Sequence, residues 1–118
     1  MSTTEYTGFA IRQLKKLAQK LSIHLIVVAH PAKIQRGKQG ELPVPNLYDV
    51  ADSAHWANKP DVGIIIHRFD TGTPNTLIKI AKVRHRVVGR PGELAGVWNR
   101  DTGRYTMGDL TEILGEDA

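Results

Sequence analysis

Cysteine is absent from the 118 residues, which excludes disulfides and thiolate-metal sites and fits a reducing compartment. Long apolar runs are missing too: none approaches the length needed to cross a bilayer, and no signal peptide opens the chain. The expectation is a cytoplasmic or nucleoid-associated protein with no membrane partner. Phosphate-cradling loops are equally lacking, since neither G-x-x-x-x-G-K-[ST] nor a strand followed by G-x-G-x-x-G occurs. If the chain touches a nucleotide, the phosphates are held mainly by residues outside it.

What remains is an ordinary soluble composition for one domain over 1–118, with 41% hydrophobic and 24% charged residues. The net charge is +4 and the pI is near 9.6, which is compatible with nucleic acid. Lys33, Arg36 and Lys38 share one loop, and Lys82, Arg84, Arg86 and Arg90 cluster around another. Asp109, Glu112, Glu116 and Asp117 make residues 108–118 an acidic tail, expected to be flexible.

Residues 4–21 read as an amphipathic helix, with Ile11, Leu14, Leu17, Ala18 and Leu21 on one face and a Thr3 or Thr4 cap. Residues 23–29, IHLIVVA, form a nearly continuous apolar, β-branched run that predicts a central strand covered on both faces, the pattern of a parallel sheet. His24 within it reads as a satisfied buried histidine. Residues 31–46 hold three Pro, two Gly and three cations. At roughly sixteen residues this loop exceeds the usual connection and predicts a mobile functional segment. A helix is expected over 47–58 with Asn46 as cap, then strands over 62–67, 76–84, 93–98 and 104–107, with turns at 69–75 and 99–103. The predicted class is α/β, a mostly parallel sheet with an antiparallel extension at one edge.

The segment 78–98 is the most telling. Lys82 and Arg84, at i and i+2, lie on one side of a strand that ends in a Gly-containing turn. A point charge beside a planar fork on a stiff hairpin suits a polyphosphate. Asp52 and His55, with Asp49 a turn earlier, could begin a metal site, but a further strong ligand is not evident and none is assigned. Trp56 and Trp98 read as core or interface aromatics rather than stacking platforms.

Four ordered segments, LIVVAHPAK at 25–33, NLYDVADSAHWANKPDVGIIIHR at 46–68, the K-V-R of the hairpin and AGVWNRDTGRY at 95–105, resemble the hexameric replicative DNA helicases. Their phage-type primase-helicases and Twinkle-like members are nearest, with DnaB-like helicases more distant. The resemblance implies the C-terminal half of a RecA-like motor of the P-loop NTPase type, bacterial or phage-encoded, working as a homo-oligomeric ring. It implies His30 as a switch that senses the nucleotide γ-phosphate, and Lys33, Arg36 and Lys38 as a grip on single-stranded DNA. That loop has no aromatic residue, so stacking is not its means. It also implies Lys82 and Arg84 as the pair reaching a neighbour's nucleotide. Here the chain departs from the pattern, because His85 and Arg86 precede Gly89, so Arg86 or Arg90 could share the phosphate role or touch DNA. ATP and Mg²⁺ are expected mainly on residues outside the chain, with ATP hydrolysis belonging to the full-length helicase alone. The rival is a catalytically inactive DNA-binding or interaction module left from a degenerate prophage helicase.

Overall fold

The computed structural model describes residues 2–32, 38, 43–50 and 54–115. Its first helix, α1 (Thr3–Leu21), follows the helical apolar spacing, and both its ends are capped. Ser2, rather than Thr3 or Thr4, is the N-cap: its Oγ accepts the Glu5 N–H at 3.1 Å. At the other end Ser22 turns into the left-handed region at φ 52° and closes the helix.

The strand expected over 23–29 does not form. The first ladder contact after α1 is an isolated bridge between Pro31 and Val50, where the Ala32 N–H donates to the Asp49 carbonyl at 2.6 Å. Ile26 and Val28 are 85% and 82% exposed. An apolar run reports the burial a segment would accept. A strand also needs a neighbour with which to exchange backbone hydrogen bonds, and the described residues bring none to it.

The sheet has four strands, β1 (Val62–His67), β2 (Asn75–Val83), β3 (Gly92–Asn99) and β4 (Arg104–Gly108), in the order β1-β2-β3-β4. Every neighbouring pair is antiparallel. The expected RecA-like, mostly parallel α/β sheet is therefore corrected to an antiparallel meander flanked by a few helices. The physical reason lies in the connections. A parallel return needs a crossover of about a dozen residues or more, whereas the chain between β1 and β2 is a short turn. That turn is pinned by Arg68, whose Nε donates to the Thr73 carbonyl at 3.1 Å, and by Asp70, whose Oδ1 accepts the Gly72 N–H at 2.8 Å. The turn after β3 behaves as its composition predicts: Asn99 Oδ1 accepts the N–H groups of Asp101 and Thr102, and Gly103 takes φ 69°.

The helix expected over 47–58 is also revised. Leu47–Asp49 is a single 3₁₀ turn, capped by Asn46 in a reciprocal box with Asp49. Val50 then goes extended to meet Pro31, which stops the helix, and the described chain resumes helically as α2 (His55–Asn58). Within 108–118, Asp109 caps a short helix, α3 (Leu110–Leu114), tied to the sheet by Asn75 Nδ2 donating to the Ile113 carbonyl at 3.0 Å.

The interior is small. Ile65, Thr76, Leu77 and Ala95 are buried in the sheet, and Ile11 and Ala57 come from α1 and α2. β1 alternates, burying Gly63 and Ile65 and exposing Val62, Ile64 and Ile66. Leu47 lies over Gly63, where a Cβ would meet its Cδ1 at 2.5 Å, so glycine is what lets the 3₁₀ turn close on the strand. The register also shifts between Gly63 and Ile64. No helix among the described residues is long and apolar enough to cross a membrane.

Candidate functional site

The end of β2 comes down on the C-terminus of α2. Lys82 Nζ donates to the carbonyls of Ala57 at 2.8 Å and Asn58 at 2.9 Å, and Arg84 Nη2 donates to the same Asn58 carbonyl. The last carbonyls of a helix lack intrahelical partners and attract cations, so the α2 end is a natural seat for both. Lys82, in β2, and Arg84, just beyond its end, thus converge on one oxygen.

Asp61, in the turn before β1, organises the rest. Its Oδ1 lies 3.1 Å from Lys15 Nζ, 3.4 Å from Arg84 Nη1 and 4.0 Å from His85 Nε2. Lys15 Nζ also donates to the Lys59 carbonyl at 3.2 Å, tying α1 to this turn. The Lys15 hydrogen bond, opposed by partial burial and aided by the charges of Lys15, Arg84 and His85, holds the Asp61 carboxyl below its ordinary pKa. Lys82 is pushed the other way from a comfortable ammonium: desolvation, then the charges of Arg84 and Lys15, lower its pKa. The local field is positive, with one carboxylate among several cations.

Beside this cluster opens a cleft of about 280 Å³, lined by Arg12, Lys15, Asn58, Lys59 and Arg84. Arg12 and Lys15 are one helical turn apart on α1, and Lys59 and Arg84 face them from the α2–β1 turn and the end of β2.

The other residues singled out from the sequence lie elsewhere. His30 ends the exposed 23–30 segment next to the Pro31 bridge, and no described hydrogen bond or ion pair joins it to Lys82 or Arg84. Lys38 is exposed in a turn, while Lys33 and Arg36 lie outside the described residues. Arg86 belongs to a 3₁₀ turn at the exposed hairpin tip, Arg86–Val88, with Arg90 just beyond. Asp52 is outside the described residues, and among those described no group of three or more His, Cys, Asp and Glu gathers. His55 instead places its ring against Gly8 of α1. Trp98 pairs with Tyr105 across β3 and β4, ring centroids 4.9 Å apart.

Asp61, Lys15, Arg12 and Lys59 were not anticipated. A signal existed. Had 62–67 and 76–84 been read as a hairpin, the pairing of Val62 with Val83 would have set Asp61 opposite Arg84. The Arg84 N–H does donate to the Asp61 carbonyl, at 2.8 Å.

No protein-family model matches the chain. Over 117 residues, 96% of its length, it is 38% identical to the Twinkle homolog protein, chloroplastic/mitochondrial, of Arabidopsis thaliana. The chain spans 16% of the length of that relative. The similarity supports a helicase-related region, the coarse part of the resemblance read from the sequence. It also corrects the expected location: a chloroplastic and mitochondrial plant protein gives no ground for a bacterial or phage-encoded, nucleoid-associated one.

Proposed function

We propose that the chain is the C-terminal part of the motor of an ATP-dependent replicative DNA helicase, which acts on single-stranded DNA as a homo-oligomeric ring. The observation that supports it best is the placing of Lys82 and Arg84 side by side at the end of β2, in a chain similar along its length to a Twinkle homolog. In this reading the pair leaves the Asn58 carbonyl to meet the γ-phosphate of a nucleotide held by the neighbouring subunit. A guanidinium there stabilises charge that develops on the transferred phosphoryl group, an effect worth ~10³ to 10⁵ in rate. His30 senses the γ-phosphate, and Lys33, Arg36 and Lys38 hold DNA phosphates. ATP and Mg²⁺ sit mainly on residues outside the chain, whose own contribution is cationic. The chain alone should therefore hydrolyse no ATP.

The test is Arg84→Ala in the full-length protein. ATP binding should persist while kcat collapses, because the interaction is made chiefly in the transition state. Mixing these subunits with others unable to bind phosphate should restore hydrolysis at interfaces that join an intact phosphate loop to an intact Arg84. Activity that merely follows the number of doubly intact subunits would overturn the trans assignment.

A further inference from the structure

The Arg12, Lys15, Lys59 and Arg84 cleft is more than the rim of the Lys82–Arg84 pair. Four cations line it, three elements supply them, and Asp61 is the carboxylate that answers them. Asp61 engages Lys15 and Arg84 but not Arg12 or Lys59, whose side chains have no carboxylate within ion-pair distance among the described residues. Asn58 also lines the cleft, and its Oδ1 accepts the Tyr48 hydroxyl at 3.3 Å, leaving its amide N–H groups with no described acceptor. Cationic forks and amide donors facing one opening, under-answered by acid, are what a multiply charged oxyanion requires.

We infer that this cleft is a binding site for a short polyphosphate chain, held by Arg12 and Lys59 with Lys15 and Arg84 at its inner edge. The cleft, about 280 Å³ and open to solvent, has room for a few linked phosphates among its cations. Four cations line one opening, so a chain carrying several charges satisfies more of them than a single carboxylate can. Asp61 sets the affinity from behind. It repels the incoming anion and competes for Lys15 and Arg84, so the site binds with two cations free and two to be won from Asp61. The inference shares Arg84 with the helicase reading but stands on Arg12 and Lys59, which that reading does not use.

Titration calorimetry of the 118-residue chain with sodium tripolyphosphate tests it. Saturable one-to-one binding is expected, weakened about tenfold by Arg12→Gln combined with Lys59→Gln. Asp61→Asn should tighten it severalfold, a direction that damage to the fold would not produce. Arg100→Gln combined with Arg104→Gln, at the β3–β4 turn, should leave it unchanged. Thermal melts of every variant establish that each is folded. Equal weakening by the β3–β4 pair would reduce the effect to net charge and overturn the site. So would the absence of saturable binding, a loss of affinity in Asp61→Asn, or competition by a thymidine oligonucleotide as effective per phosphate as tripolyphosphate. Failure of the Arg84→Ala turnover test would leave these outcomes untouched.

Discussion

Asp61 is half exposed, yet it holds together pieces of α1, the α2–β1 turn and β2. Because its folded pKa lies below the ordinary 3.8, the folded state holds the carboxylate charge more readily than the unfolded state. The stabilisation is complete above the unfolded value and is lost as pH falls through the folded one. Ion pairs of this exposure contribute up to about 1 kcal/mol. Asp61→Asn should therefore lower the urea midpoint modestly at pH 6, and the gap between variant and parent should close as pH drops below about 3.8. A gap that stays constant across that range would mean the carboxylate's charge is not what stabilises. Lys82 runs the opposite way: its lowered pKa means that its charge is a cost of folding at neutral pH, relieved as pH rises toward 10.5. What offsets the cost is the pair of α2 carbonyls it satisfies.

Among the elements, β1 and the Leu47–Asp49 turn illustrate how packing overrides local preference. Gly63 is a poor strand residue, and alanine or valine would ordinarily favour β structure there. Leu47 stands in the way of either: a Cβ at 63 would lie 2.5 Å from its Cδ1, so the leucine side chain would have to shift. Gly63→Ala should destabilise by about 1–3 kcal/mol, and adding Leu47→Ala should recover part of the loss relative to Leu47→Ala alone. Strict additivity in a denaturant series would show that the two do not touch. The apolar run at 23–29 offers a sharper contrast. Leu77 is buried in β2 at 3% exposure, whereas Val28 is 82% exposed. Leu77→Ala should cost about 2–5 kcal/mol and Val28→Ala no more than about 0.5 kcal/mol. A large loss at Val28 would mean that the run is buried as a central strand would be.

For the whole molecule, charge is the property that matters most to partners. The excess of +4 is gathered rather than spread: cations line the cleft and the hairpin, and a second group is clustered in sequence within residues 31–46. If that loop grips single-stranded DNA in the full-length protein, each phosphate-contacting cation removed should lower the slope of log affinity against log salt by about 0.7. Lys33→Ala, Arg36→Ala and Lys38→Ala combined should flatten the slope by about three such steps, with little sequence dependence. An unchanged affinity and slope would leave the loop without a role in binding. The cleft variants Arg12→Gln and Lys59→Gln should leave this slope alone, which separates the two basic regions by experiment.

Local signals in the sequence determined what local chemistry can determine. The apolar spacing of α1, the Asn46 cap, the Asn99–Gly103 turn and the strand character of 62–67 and 76–84 all depend on residues a few positions apart, and all are found. Lys82 and Arg84, two residues apart, also converge on one oxygen, although Arg84 lies just beyond the end of β2. Which strands pair, and in which direction, was decided only in three dimensions, by connection length and by the presence or absence of a neighbour. The composition of 23–29 could not reveal that no described strand would meet it. The site followed the same division: its cations were legible as charges, but Asp61 became their common partner only when antiparallel pairing brought residue 61 back beside residue 84 and α1 delivered Lys15 to the same oxygen. Contacts between residues far apart in sequence carry no local signature, because the free energy that selects them is released only on burial and pairing.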